Sequence, residues 1–286
     1  MRWRGRRASS NVEDRRGRSP MVTRGLPIGC GGIVLIVLFV LLGGDPQQLI
    51  GILEETGGPA ASLPGDAAPT GAPADELGEF AAVVLGSTED TWNQVFAAQG
   101  VSYREPTLVL FTGAVESACG FNSAAVGPFY CPADSRLYVD LGFFDQLERR
   151  FGAPGDFAQA YVIAHEVGHH VQNQLGISGR VASARGRLSQ TDYNALSVRL
   201  ELQADCLAGV WAHHNRELLE PGDVEEGMRA AEAIGDDAIQ RQTQGRVRPE
   251  SWTHGSSAQR QEWLRRGLQT GDPDACDTFG GRLERF

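Results

Sequence analysis

The stretch AYVIAHEVGHHVQNQLG, residues 160–176, places three histidines and one glutamate in a run that otherwise has the pattern of a buried helix. Within it, His165, Glu166 and His169 form the pattern H-E-x-x-H. On an α-helix, residues four positions apart lie on one face, so the two histidines can bind one zinc ion together. Glu166 then lies close enough to act as a general base on a water molecule. The alternative is a helix whose polar face meets solvent, with its histidines there by accident.

A catalytic zinc ion usually has three protein ligands, so a third ligand is expected from another element. The segment RLELQAD, residues 199–205, offers Glu201 and Asp205 four positions apart on a predicted, largely buried helix. Two buried carboxylates without a partner would repel each other. We therefore predict that Glu201 is the third ligand and that Asp205 accepts the second N–H of a ligand histidine. The alternative is a solvent-facing pair of acids on an amphipathic helix.

The pattern HEVGH followed by ELQAD resembles the H-E-x-x-H and E-x-x-x-D pattern of gluzincins. Segments along nearly the whole chain are similar to the bacterial family described as putative neutral zinc metallopeptidases, among them MRWRGRRASSNVEDRR, GPFYCPADSRLYVDLGFF, GDDAIQRQTQGRV and SWTHGSSAQRQEWLRRG. The resemblance implies a membrane-anchored zinc endopeptidase of zincin-like fold that binds one Zn²⁺ per chain. Its substrate would be a peptide or a protein.

The same resemblance implies a role for His254. The segment THGSSAQR is similar to the His-Pro-x-x-x-x-Arg segment of membrane-bound gluzincins, with Gly255 in place of the proline. His254 would then donate a hydrogen bond to the oxyanion of the tetrahedral intermediate, with Arg260 as its supporting neighbour. The alternative is a loop histidine that caps the next helix. His170 follows His169 directly, points elsewhere on the helix, and is expected to bond to backbone or solvent.

The N-terminal part of the chain has the composition of a membrane anchor. Residues 26–44, LPIGCGGIVLIVLFVLLGG, carry no charge and reach about the length that spans a bilayer core. Residues 1–25 hold eight arginines against two acids, which predicts a cytoplasmic N-terminus and an extracytoplasmic main domain. A cleaved signal peptide is the alternative, although no A-x-A site follows the apolar run. Residues 45–75 are rich in Pro, Gly and Ala and predict a tether.

The main domain, residues 76–286, is predicted to be helix-rich α+β with a small sheet. Capping residues and apolar periodicity indicate helices at 76–86, 87–98, 156–175, 189–214, 222–243 and 256–269. Apolar and β-branched runs indicate strands at 107–113, 121–131 and 136–144. The net charge of −10 makes nucleic acid an unsuitable partner for this domain.

Four cysteines fall in this domain: Cys119, Cys131, Cys206 and Cys276. An even number in an oxidising compartment favours disulfides, and three pairings are possible. Zinc ligation by cysteine is the alternative, but the sequence has no C-x-x-C pair.

A rival to the enzyme hypothesis is a non-catalytic, zinc-containing binding protein or scaffold tethered to a membrane. Glu166 argues against this rival, because a structural zinc needs no base and favours four protein ligands.

Overall fold

The computed structural model describes most of the main domain together with the N-terminal residues. The described residues are 1–17, 70–71, 73–124 and 127–280. The predicted anchor, residues 26–44, and nearly all of the predicted tether lie outside them. Within the described part, no helix combines the length and apolar character that a membrane crossing needs.

The described residues form a helix-rich α+β domain, as predicted. Its strands are β1 (Val12–Asp14), β2 (Thr107–Phe111), β3 (Ala114–Ser117), β4 (Gly120–Ser123), β5 (Phe129–Cys131) and β6 (Arg136–Asp140). Its α-helices are α1 (Glu76–Ala98), α2 (Gly142–Arg149), α3 (Asp156–Gln174), α4 (Ile177–Ser183), α5 (Gln190–His214), α6 (Asp223–Ala233), α7 (Asp236–Gln244) and α8 (Ser257–Thr270). Short 3₁₀ helices occur at Arg216–Leu218, Pro249–Ser251 and Pro273–Cys276.

The main sheet has four strands in the order β1-β2-β6-β5. Strand β2 is parallel to both β1 and β6, whereas β5 is antiparallel to β6. The run Leu108–Leu110 in β2 is fully buried, as expected for a parallel strand covered on both faces. Strands β3 and β4 form a separate antiparallel hairpin. In the described part of the chain, β5 pairs only with β6, so it is an edge strand.

The first residues of the chain belong to this domain, whereas the sequence predicted a separate basic arm at residues 1–25. Strand β1 lies in the main sheet, and Met1 and Trp3 are buried in the main core. Gly86 on α1 makes this packing possible, because a Cβ there would lie 2.8 Å from the carbonyl oxygen of Arg7. Residues 1–17 pack on the domain because β1 pairs with β2 and their arginines bind acids of α1, contacts that the arginine content alone does not indicate.

Several helix boundaries differ from the prediction. Helix α1 runs unbroken through Ser87, whose hydroxyl donates to the carbonyl of Val84 instead of capping a new helix. Helix α2 occupies the end of the predicted strand 136–144. The predicted helix 222–243 is two helices, α6 and α7, separated at Gly235. By contrast, α5 begins as predicted, with the Ser189 side chain accepting the backbone N–H of Asp192.

Small residues bring the three central helices into backbone contact. A Cβ on Gly168 of α3 would lie 3.0 Å from the carbonyl oxygen of Ala204 on α5. A Cβ on Gly267 of α8 would lie 1.9 Å from the carbonyl oxygen of Cys206 on α5. Larger side chains at either glycine would separate the helices. Both contacts flank Asp205, and they therefore set the distances around the candidate site.

Both pairs of cysteines form disulfides in the structure, which confirms the expectation of disulfides over zinc ligation. Cys119 pairs with Cys131 across 12 residues at the hairpin, and Cys206 pairs with Cys276 across 70 residues. The second bond fastens the C-terminal 3₁₀ helix to α5.

We expect the long-range disulfide to contribute more stability than the local one. Loop-closure entropy gives about 4 kcal/mol for a loop of 70 residues and about 3 kcal/mol for one of 12. Replacing Cys206 and Cys276 with alanine should therefore lower the free energy of unfolding by more than the same change at Cys119 and Cys131. Urea unfolding without reductant measures both. Equal stability of all three proteins would contradict this expectation.

Candidate metal centre

The structure brings the three predicted zinc ligands together. Helix α3 presents His165 and His169 one turn apart, and α5 presents Glu201 opposite them. The Nε2 atom of His165 lies 3.2 Å from one carboxylate oxygen of Glu201, and that of His169 lies 3.5 Å from the other. One donor atom from each residue falls within 4.8 Å of the others. Two imidazoles and a carboxylate, with one position left for water, are a donor set that fits catalytic zinc.

Asp205 holds His165 from behind, as the sequence predicted. Its Oδ1 accepts from Nδ1 of His165 at 2.8 Å, which leaves Nε2 directed at Glu201. The same carboxylate accepts two bonds of 2.9 Å from Arg260 and one of 2.5 Å from the hydroxyl of Tyr161. Burial opposes ionisation of Asp205, but Arg260 and His165 outweigh it and lower its pKa to about 2. The buried carboxylate of Asp205 is thus compensated by hydrogen bonds from three side chains.

His169 has its own support in Gln172, a residue that the sequence analysis missed. Nδ1 of His169 donates to the side-chain oxygen of Gln172 at 2.8 Å. The amide nitrogen of Gln172 donates in turn to the carbonyl of Leu200 and to the side chain of Gln203, both on α5. The available signal was its position three residues after His169, on the same helical face. Both ligand histidines therefore present Nε2 to the centre.

The electrostatics of the site favour a bound cation. Burial disfavours the charged form of His169, but the carboxylates of Glu201 and Glu166 outweigh it and raise its pKa to about 9. The pKa of His165 is also raised, since Asp205 and Glu201 outweigh burial. Burial opposes ionisation of Glu201, yet the two histidines hold its pKa well below the usual range. Two imidazoles with raised pKa values, one buried and one partly buried, mark a place where positive charge is stabilised.

His254 lies at the rim of the same cleft, with 51% of its side chain exposed. Nδ1 of His254 lies 3.3 Å from Oδ1 of Asp236, and the other oxygen of Asp236 accepts the backbone N–H groups of Thr253, His254 and Gly255. The hydrogen bond that Nδ1 of His254 donates to Asp236 raises the pKa of His254 against the effect of burial. Helix α8 is capped by Ser256, so His254 does not serve as that cap.

The sequence predicts Arg260 as the supporting neighbour of His254. In the structure, the side chain that contacts His254 in this way is Asp236. The guanidinium of Arg260 is buried and bonds to Asp205, Tyr161 and the carbonyl of Ile234. All three partners of Arg260 are distant from it in sequence, whereas His254 is close, so sequence proximity pointed to His254. Asp236 had no motif to mark it, since its role follows from the position of α7 beside the loop.

The centre opens into a cleft of about 690 Å³ with largely apolar walls. Its lining includes Phe129 and Tyr130 of the edge strand β5, together with Val181 and Ile234. The hydroxyl of Tyr130 donates to Nδ1 of His170 at 3.0 Å, while Nε2 of His170 donates to a backbone carbonyl at 2.6 Å. His170 is 2% exposed and its pKa is lowered by burial. Its backbone contact was expected, but its bond to β5 was not.

Comparisons with known proteins agree with this site. Residues 1–279 match the family described as "Putative neutral zinc metallopeptidase". The chain is 48% identical over 287 residues to "Uncharacterized protein YpfJ" of Escherichia coli K12, covering 98% of this chain and 99% of that one. It is 46% identical over 225 residues to "Uncharacterized protein Rv2575" of Mycobacterium tuberculosis H37Rv, covering 73% of each chain. No solved structure matches the chain. The chain therefore belongs to the neutral zinc metallopeptidase family that this description names.

Proposed function

We propose that this protein is a zinc-dependent endopeptidase. The observation that carries the proposal is the convergence of His165, His169 and Glu201, whose donor atoms lie within 4.8 Å of one another, beside Glu166 in an open cleft. A zinc ion held by these three residues would polarise a water molecule and lower its pKa towards neutrality.

The protein residues around that water have distinct proposed roles. Glu166 accepts a proton as the peptide carbonyl is attacked, and later delivers it to the leaving amine. His254 donates a hydrogen bond to the oxygen on which negative charge develops, and Asp236 orients its ring and supports its charge. Asp205 and Gln172 act indirectly. Each accepts a hydrogen bond from Nδ1 of a ligand histidine and so directs its Nε2 at the metal site, without contacting the substrate.

The edge strand β5 is the best-placed element to bind an extended substrate. The two candidate elements are β6 and the GPFYC segment, which contains β5. Strand β6 already has a neighbour on each side, whereas β5 has a neighbour on one side in the described chain and lines the cleft. A peptide could add to β5 through backbone hydrogen bonds, with apolar side chains reaching the cleft walls. His170 and Asn173 hold β5 against α3 through the hydroxyl of Tyr130.

A non-catalytic zinc-binding scaffold is the competing function. Such a protein needs neither Glu166 nor an open cleft at the metal, and it favours four protein ligands over three. Chelator-sensitive cleavage of unfolded casein by the purified protein would separate the two hypotheses. Failure to cleave any of a broad set of peptides in the presence of zinc would favour the scaffold.

We expect Glu166→Gln to abolish hydrolysis while keeping zinc. The amide has nearly the size of the carboxylate but cannot accept the proton, so the rate should fall by about 100-fold or more. Casein cleavage and zinc content per chain should be measured together. Glu225→Gln, at an exposed position on α6, is the matched control and should leave both unchanged. Full activity of Glu166→Gln would defeat the assigned role.

His254→Ala should lower kcat by about 100-fold with little effect on KM, because the lost hydrogen bond forms mainly in the transition state. His214→Ala is the control, since His214 is exposed and lies outside the cleft lining. Steady-state kinetics on one fluorogenic peptide would show the division between kcat and KM. An unchanged kcat would show that His254 does not stabilise the oxyanion.

Zinc affinity should rise with pH up to about 9. Zinc needs unprotonated imidazoles, and the neighbouring carboxylates raise the pKa of His169 to about 9, so protons compete with the metal below that pH. Glu201→Gln removes the main carboxylate that raises this pKa. The pH dependence should then move towards lower pH, while the affinity falls overall. Chelator-competition titrations between pH 6 and pH 10 test this, and an affinity that does not change over that range would contradict it.

A further inference from the structure

The chain leaves and re-enters the domain at one place on the main sheet. Strand β1 pairs with β2 over its full length, from Val12 to Asp14. Where the described chain resumes, Thr70 forms a bridge with Glu13, and the N–H of Gly71 donates to the carbonyl of Val12 at 2.9 Å. The two ends of the intervening segment are therefore neighbours on the same sheet edge.

The N-terminal residues are joined to the domain by more than this strand. Met1 and Trp3 are buried, and the ring of Trp3 packs edge-on against Phe80 of α1 at 5.4 Å between centroids. The terminal ammonium of Met1 lies 2.9 Å from the carboxylate of Asp156, the first residue of the metal-binding helix α3. The first residues of the chain thus contact both the core and the helix that carries the site.

The arginines of this segment form ion pairs with acids of the domain. Three of its arginines bind acids of α1 or its cap: Arg4 binds Glu76, Arg7 binds Glu89 and Asp90, and Arg16 binds Asp75. The Glu89 carboxylate is buried and also accepts from Ser9 and Asn11. These arginines are partners of the domain, which weakens them as an independent signal for membrane orientation.

This arrangement constrains how the chain can meet a membrane. One bilayer crossing would place residues 1–17 and residues 70–280 on opposite sides, where β1 and β2 could not pair. Returning to the same side takes a second crossing, and two crossings need about 40 apolar residues. Between residues 18 and 69 the sequence offers one charge-free run of spanning length, residues 26–44.

We infer that residues 1–17 and 70–280 lie on the same side of any membrane that the protein meets. The inference replaces the sequence expectation that a cytoplasmic N-terminus and an extracytoplasmic domain flank a single span. It holds whether β1 pairs within its own chain or with a second copy, because either pairing requires both segments in one compartment.

The test adds one reporter cysteine at a time to the full-length protein, with Cys30 replaced by serine. The same protein without a reporter gives the labelling background of the four disulfide cysteines. Ser10→Cys reports on the N-terminal segment and Ser102→Cys on the domain, since both positions are exposed. A membrane-impermeant maleimide is applied to intact cells and to permeabilised cells. We expect the two cysteines to label together, either both in intact cells or both only after permeabilisation. Labelling of one in intact cells and the other only after permeabilisation would overturn the inference.

A second measurement tests the contact itself. Glu13 and Thr70 face each other in an antiparallel bridge, a spacing that suits a disulfide. The double variant Glu13→Cys, Thr70→Cys in the same Cys30→Ser background should cross-link under mild oxidant in native membranes, and the cross-linked chain should migrate faster on a non-reducing gel. Each single variant is the control. Two results together would show that β1 is not part of the domain. The Glu13→Cys, Thr70→Cys variant would form no cross-link, and the Ser10→Cys and Ser102→Cys reporters would label from opposite sides of the membrane.

Discussion

The buried carboxylate of Asp205 is the contact on which the geometry of the site depends. It joins three helices, because its partners Tyr161 and His165 lie on α3 and Arg260 lies on α8. A buried carboxylate missing one of these partners would be costly, and the cost would be felt as displacement of the helices themselves. The bond between Asp205 and His165 determines which nitrogen of His165 faces the candidate metal centre. The packing of the three helices and the orientation of His165 therefore depend on the same carboxylate, that of Asp205.

Support for the second ligand histidine follows a separate path through the fold. His169 bonds to Gln172, Gln172 bonds to Gln203, and Gln203 donates to the backbone carbonyl of Cys276. Cys276 is fastened to α5 by its disulfide with Cys206. The C-terminal disulfide consequently does more than restrict the unfolded chain, since it holds the last acceptor in a series of hydrogen bonds that ends at a candidate metal ligand.

The features that sequence predicted well are those whose signal is local. H-E-x-x-H and the pair Glu201 and Asp205 repeat with the period of a helix, and burial made unpaired carboxylates implausible. The start of α5 was equally legible from Ser189 and Asp192. In each case the partners lie within one or two turns, so spacing alone constrains the geometry.

The features that sequence missed depend on contacts between distant segments. Asp236 lies beside His254 only because α7 begins next to that loop. Arg260 was assigned to a sequence neighbour, although its real partner Asp205 lies 55 positions away. Strand β1 was overlooked because three residues form it, and its stability comes from β2 and from Gly86 on α1. These features are determined by tertiary contacts, so the local sequence does not predict them.

A second group of acids shows why ligand geometry alone does not define a metal centre. Asp156, Asp223 and Glu226 also bring carboxylate oxygens within 4.8 Å of one another. The ammonium of Met1 lies 2.9 Å from Asp156 and 3.4 Å from Asp223, so a protein cation already balances this group. At His165, His169 and Glu201 the pKa of each imidazole is raised instead, and Arg260, the guanidinium behind them, is already bonded to Asp205. The positive charge that this centre favours must therefore come from protons or from a metal, and its nitrogen donors suit zinc.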